Sequence, residues 1–212
     1  VAEQQGGVIE KGMQSAVRGV AGLAAAYISL NAAVRAGKEV VGHSMKLETA
    51  MRSASTISKE VTENLDEYTK AIEDLSRTSS QSSVSLATAF KTIISASYEA
   101  DDALHLLSIA DKAAAAGFVD IEVAADGVTT VLNAWGKTVD ESERVSDIFF
   151  KTIERGKTSF PELASNIATV APLAASSGVS FEEVSAALQT LTRQGTPTAV
   201  AMTQIRAAIV SM

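Results

Sequence analysis

Apolar residues in this chain recur at helical spacing, and the stripes they form are separated by capping residues and glycines. Val61, Leu65, Tyr68, Ile72 and Leu75 fall at i, i+4, i+7, i+11 and i+14, the signature of one helix face. The serine-rich Ser76–Ser85 (SRTSSQSSVS) follows, where hydroxyls compete for backbone partners and favour a break. Leu86, Phe90, Ile93 and Ile94 make the next face. Asp101 and Asp102 suit the N-terminus of a helix carrying Leu104, Leu107 and Ala110, which Gly117 closes. Asp120 caps a helix with Ala124, Val128, Val131, Leu132 and Trp135, ended by Gly136.

Three pairs at N-cap and N3 spacing continue the pattern. Asp140 with Glu143 precedes Val145, Ile148, Phe149 and Ile153. Ser159 with Glu162 precedes Leu163, Ile167, Val170 and Ala171, up to a break at Pro172. Ser180 with Glu183 precedes Val184, Ala187, Leu188 and Leu191, up to Gly195, and Pro197 opens a last helix with Ile205 and Ile209. Gly117–Glu122 and Gly178–Glu182 echo each other, each a glycine stop before a capped apolar helix. Two units do not make a solenoid. Few prolines (3) and 5% aromatics fit the same reading, since alanine-rich sequence favours helix over pleated sheet. The expectation is an all-α fold, a compact multi-helical domain of about eight helices preceded by an apolar N-terminal helix.

Charge divides the chain. Residues 1–52 carry six basic and four acidic residues, +2, which leaves 12 basic and 21 acidic residues, −9, for 53–212. We read 1–52 as an alanine- and glycine-rich apolar helix with basic flanks, and 53–212 as the helical core domain. Within the first lies Gly19–Val34 (GVAGLAAAYISLNAAV), 16 residues without a charge between Arg18 and Arg35. It is shorter than the roughly 20 apolar residues a bilayer span needs, which leaves burial against protein and entry into a membrane both open. Its small residues, Gly22 and Ala26, beside Leu23, Tyr27 and Leu30, point to self-association through 1–52. The chain opens at Val1 without an initiator methionine, so it reads as a piece of a longer protein.

Chemistry is sparse. No cysteine is present, which removes disulfides and thiolate catalysis. Glu39/His43 and Asp101/His105 each set a carboxylate and an imidazole four apart, but a helical di-metal site uses Glu-x-x-His spacing on two helices, approached here only by Asp102/His105 with aspartate. Both pairs read as solvated helix faces. Adjacent Asp101/Asp102 and Glu182/Glu183 diverge by about 100° on a helix and do not converge on one atom. No nucleophile elbow, phosphate loop or zinc-protease motif occurs. We expect no catalytic, cofactor-binding or metal-binding residues and no enzyme. The −7 net charge argues against non-specific nucleic-acid binding.

From Asp126–Gly136 (DGVTTVLNAWG) onward a family likeness emerges, through Glu143–Lys157 (ERVSDIFFKTIERGK), Phe160–Pro172 (FPELASNIATVAP), Gly178–Gly195 (GVSFEEVSAALQTLTRQG) and Pro197–Ile209 (PTAVAMTQIRAAI). In that order and spacing the chain resembles the core region of phage tail tape measure proteins. The resemblance is strong over 100–212 and weaker over 45–100, where Leu47–Ile57 (LETAMRSASTI) is similar to the region's entry. It implies a virion structural protein of a phage or prophage. Such a protein fills the tail tube lumen during assembly, sets tail length and leaves ahead of the DNA. The partners implied are tail tube and tail tip proteins and tail assembly chaperones, in a homo-oligomer, with transient membrane contact open and no specific nucleic acid. No cofactor comes with it. The family's long helical ruler is missing from this segment. A membrane-active helical protein of pore-forming or toxin type is the alternative, motivated by Gly19–Val34.

Overall fold

The computed structural model describes residues 42 and 44–211. Two compact units divide the chain, Val1–Lys46 and Leu47–Met212, and the described residues fall almost wholly in the second. Gly19–Val34, Glu39 and His43 lie outside the described residues.

Among the described residues the fold is all-helical, with eleven α-helices and no strand. They are α1 (44–55), α2 (Lys59–Glu63), α3 (Leu65–Ser76), α4 (Ser83–Ser95), α5 (Ala100–Gly117) and α6 (Ile121–Trp135). A 3₁₀ turn at Val139–Glu141 leads into α7 (Ser142–Arg155), α8 (Phe160–Ile167), α9 (Ala171–Ser176), α10 (Phe181–Arg193) and α11 (Thr198–Val210). Eleven exceeds the eight expected because short helices leave too few positions for a stripe. The face Val61–Leu75 is one stripe but two helices: Asn64 leaves helical geometry at φ −124°, and its side-chain amide donates to the Glu60 carbonyl at 3.2 Å. The break assigned to Pro172 comes earlier, after Ile167, and Pro172 instead sits in the first turn of α9, where its missing N–H is not needed.

α6 is the centre of the domain and packs on α4, α5, α7, α8 and α9. Ile121, Ala124, Val128, Val131 and Leu132 are buried on it, as the stripe requires. Gly127 adds what the stripe does not show. A Cβ there would stand 3.0 Å from the Ala164 Cβ, so the bare backbone lets α8 approach closely. The one buried hydroxyl of α6, Thr129, donates to the Ala125 carbonyl at 2.7 Å and leaves no unmet polar group.

Aromatic residues are few but concentrated. Phe149 of α7 meets Phe160 of α8 at 5.1 Å between ring centroids and Phe181 of α10 at 5.5 Å. Trp135, from the end of α6, meets Phe181 at 5.4 Å. Phe149, Phe160 and Phe181 are essentially inaccessible to solvent, and each such side chain contributes on the order of 1.5–3 kcal/mol through burial. At the other end Tyr68 stacks on Phe90 at 5.8 Å and brings α3 onto α4. Leu47, Met51 and Ala54 of α1 join the same core cluster.

Caps define the helix starts. Ser58 and Ser82 accept from the amides of Val61 and Ser85. Ser180 makes the full reciprocal box: the Glu183 amide donates to its hydroxyl at 3.2 Å, and its own amide donates to the Glu183 carboxylate at 2.8 Å. The box expected at Asp140/Glu143 falls two residues earlier. Glu141 accepts from the Thr138 amide at 3.1 Å and caps the 3₁₀ turn rather than α7 itself. At the end of α5 the expected glycine stop is displaced by one residue: Gly117 is helical and Phe118 takes the left-handed position, φ 51°.

Candidate functional site

The polar side chains singled out by sequence do not converge. His105 is exposed, and no group of three or more histidine, aspartate or glutamate side chains among the described residues could hold a metal ion. Asp101 turns to Tyr68 instead. The Tyr68 hydroxyl lies 3.2 Å from Asp101 Oδ1 and 3.0 Å from Glu60 Oε1, while Glu60 Oε2 accepts from the Ala100 amide. Burial, then the bonds to Glu60 and Asp101, push the Tyr68 hydroxyl far above the ordinary tyrosine range, so it stays a neutral donor. The trio ties α2 and α3 to the start of α5. Burial, and after it the charge of Asp102, likewise raises the Tyr98 hydroxyl.

Glu182 and Glu183 also separate. Glu183 belongs to the Ser180 box, whose backbone and hydroxyl bonds hold its carboxyl below the usual range. Glu182 pairs with Arg144 of α7 at 3.0 Å. Glu141 is held low chiefly by Lys137, whose ammonium donates to it at 2.8 Å, with the Thr138 amide second. These are helix-end and helix-pairing devices. None stands beside a nucleophile, and Glu183 also lines the groove between α10 and α11.

What the fold offers instead is surface. A groove of about 600 Å³ runs between α10 and α11, lined mainly by apolar side chains including Val184, Leu191, Ile205 and Ile209. A second cleft, of about 750 Å³, opens where α5 meets α6, beside Phe118. Neither was visible from the sequence, because each depends on how two helices meet. Among the described residues no helix is long and apolar enough to cross a membrane.

Comparison with known proteins gives this helical surface its context. The phage-related minor tail protein family matches residues 69–212. A probable tape measure protein of Clostridium phage phiCD119 is 32% identical over 171 residues. That match takes in 79% of this chain, whereas the chain spans only 17% of the length of that relative. No solved structure matches. The matched stretch runs from α3 to the end of α11 and so holds the aromatic cluster and all the capped helices from α4 onward. On the extent of that match, the chain belongs to the phage-related minor tail proteins and is related to tail tape measure proteins.

Proposed function

We propose that this chain is a structural segment of a phage tail tape measure, acting in tail assembly and tail-length determination. The observation that carries the reading is the overlap of the family match with one folded helical unit, α3 to α11, built from caps and packing contacts. In this reading the full-length protein occupies the lumen of the tail tube, contacts tube, tip and chaperone proteins, and is present in several copies. It leaves the particle ahead of the DNA. Its work is mechanical and organisational rather than catalytic.

Mass spectrometry of purified phage particles carrying the gene, before and after triggered DNA release, tests the proposal. Peptides from residues 69–212 are expected in intact particles and depleted from tails that have emptied. Their absence from intact particles, or their full retention after release, would count against it.

A further inference from the structure

Phe118 is the anomaly of this fold. Its backbone is left-handed, φ 51° and ψ 47°, where a Cβ crowds the neighbouring carbonyl and glycine is the usual occupant. The residue is 96% exposed. A residue that strains the chain and buries nothing is not explained by the packing of its own domain.

Beside the ring lies the cleft between α5 and α6. Ala114, Val119 and Val123 give it apolar walls, with Pro161 of α8 and the Ser80–Gln81 loop closing it. That loop is fixed in place, since the Ser79 hydroxyl donates to Asp111 of α5 and accepts from the Gln81 amide. The rim is acidic. Asp120 lines the cleft, and Glu122 lines the smaller recess that continues from it past Gln81, Asp120 and Val123. No lysine or arginine lines either. α5 has no basic residue in its last turn, and the Asp120 side chain makes no cap bond to the amino end of α6 that begins beside it.

We propose that Phe118 and this cleft are a docking surface for a segment of a partner protein that carries an apolar side chain flanked by lysine or arginine. The apolar side chain enters the cleft under the Phe118 ring. The cation meets Asp120 and Glu122, and stacks on the ring face. A second copy of this chain using the same surface is disfavoured, because two acidic rims would face each other. One aromatic side chain supplies about 150–250 Å² of contact, far below the roughly 1,200 Å² of a stable interface. The ring is therefore the anchor of an exchanging contact. This inference is independent of the tape measure reading and stands or falls on binding alone.

Two fluorescent model helices of equal length test it, each with leucine along one face and either arginine or glutamate along the other. The 212-residue chain is expected to bind the arginine helix saturably and the glutamate helix not at all. Phe118→Gly leaves net charge unchanged, so general attraction to an acidic protein survives. It is nevertheless expected to weaken binding by about tenfold or more, as loss of a hot-spot aromatic does, while raising the urea midpoint because the strain is relieved. Phe118→Ala removes the ring but keeps the strain, so it should weaken binding without that gain. Unchanged binding by Phe118→Gly, equal binding of the glutamate helix, or a lowered midpoint for Phe118→Gly would each overturn the proposal.

Discussion

The indole N–H of Trp135 donates to the carbonyl of Val179 at 2.8 Å, joining the end of α6 to the loop before α10 across 44 positions of sequence. The same indole lies against Phe181, the first residue of α10. One side chain thus closes the aromatic cluster and satisfies a loop carbonyl. Trp135 is half-buried rather than fully buried, because its polar edge must reach that loop. Trp135→Phe keeps the ring contact and loses the bond. We expect a stability loss of about 1 kcal/mol, the usual net worth of such a bond, measured by urea denaturation. The wild-type emission maximum should fall between those of buried and fully exposed indole.

Ser180 starts α10 by bonding the Glu183 amide. Ser180→Ala should cost about 1 kcal/mol, within the 0.5–2 range for such caps, in the same assay. A midpoint indistinguishable from wild type would mean that α10 does not depend on this start.

The same box sets a pH dependence. The Ser180 amide and hydroxyl hold the Glu183 carboxyl low in the folded state. Stability from the box is therefore present above the ordinary glutamate range and is lost as pH falls through the lowered folded value. Midpoints measured from neutral to acid pH should fall less steeply for Ser180→Ala than for wild type. Parallel curves would contradict the assignment.

Gly127 and Ala164 form a close contact between α6 and α8. Gly127→Ala gains up to about 1 kcal/mol in helix propensity. It also forces two methyl groups together, and overpacking of this kind costs roughly 1–3 kcal/mol. Ala164 has no rotamer to escape into, so the expected sign is destabilising. Ala164→Gly in the same chain should recover part of the loss, and a double-mutant cycle by chemical denaturation reads the coupling.

Much of this fold was legible because its helices carry their own signals. The stripes of α4, α6, α7 and α10 and the Ser180 box could be read directly, since periodicity and N-cap spacing are local properties. Misplacements arose where two local signals compete. Thr138/Glu141 and Asp140/Glu143 both have box spacing, and the 3₁₀ turn at Val139–Glu141 decides between them. Gly117 looks like a helix stop, yet the left-handed turn falls on Phe118. The clefts were beyond reach of the sequence because each depends on how two consecutive helices meet, and the one beside Phe118 is closed by Pro161 and the Ser80–Gln81 loop from elsewhere in the chain. So was the Trp135–Val179 bond, which no periodicity encodes.

If this domain is part of a tape measure, as proposed, tail assembly depends on it. Electron microscopy of particles made with the codons for residues 69–212 deleted in frame from the intact phage gene tests it most directly. Missing tails or tails of altered length are expected, restored when the intact gene is supplied in trans. Tails normal in number and length, in a strain shown to make the shortened protein, would contradict it.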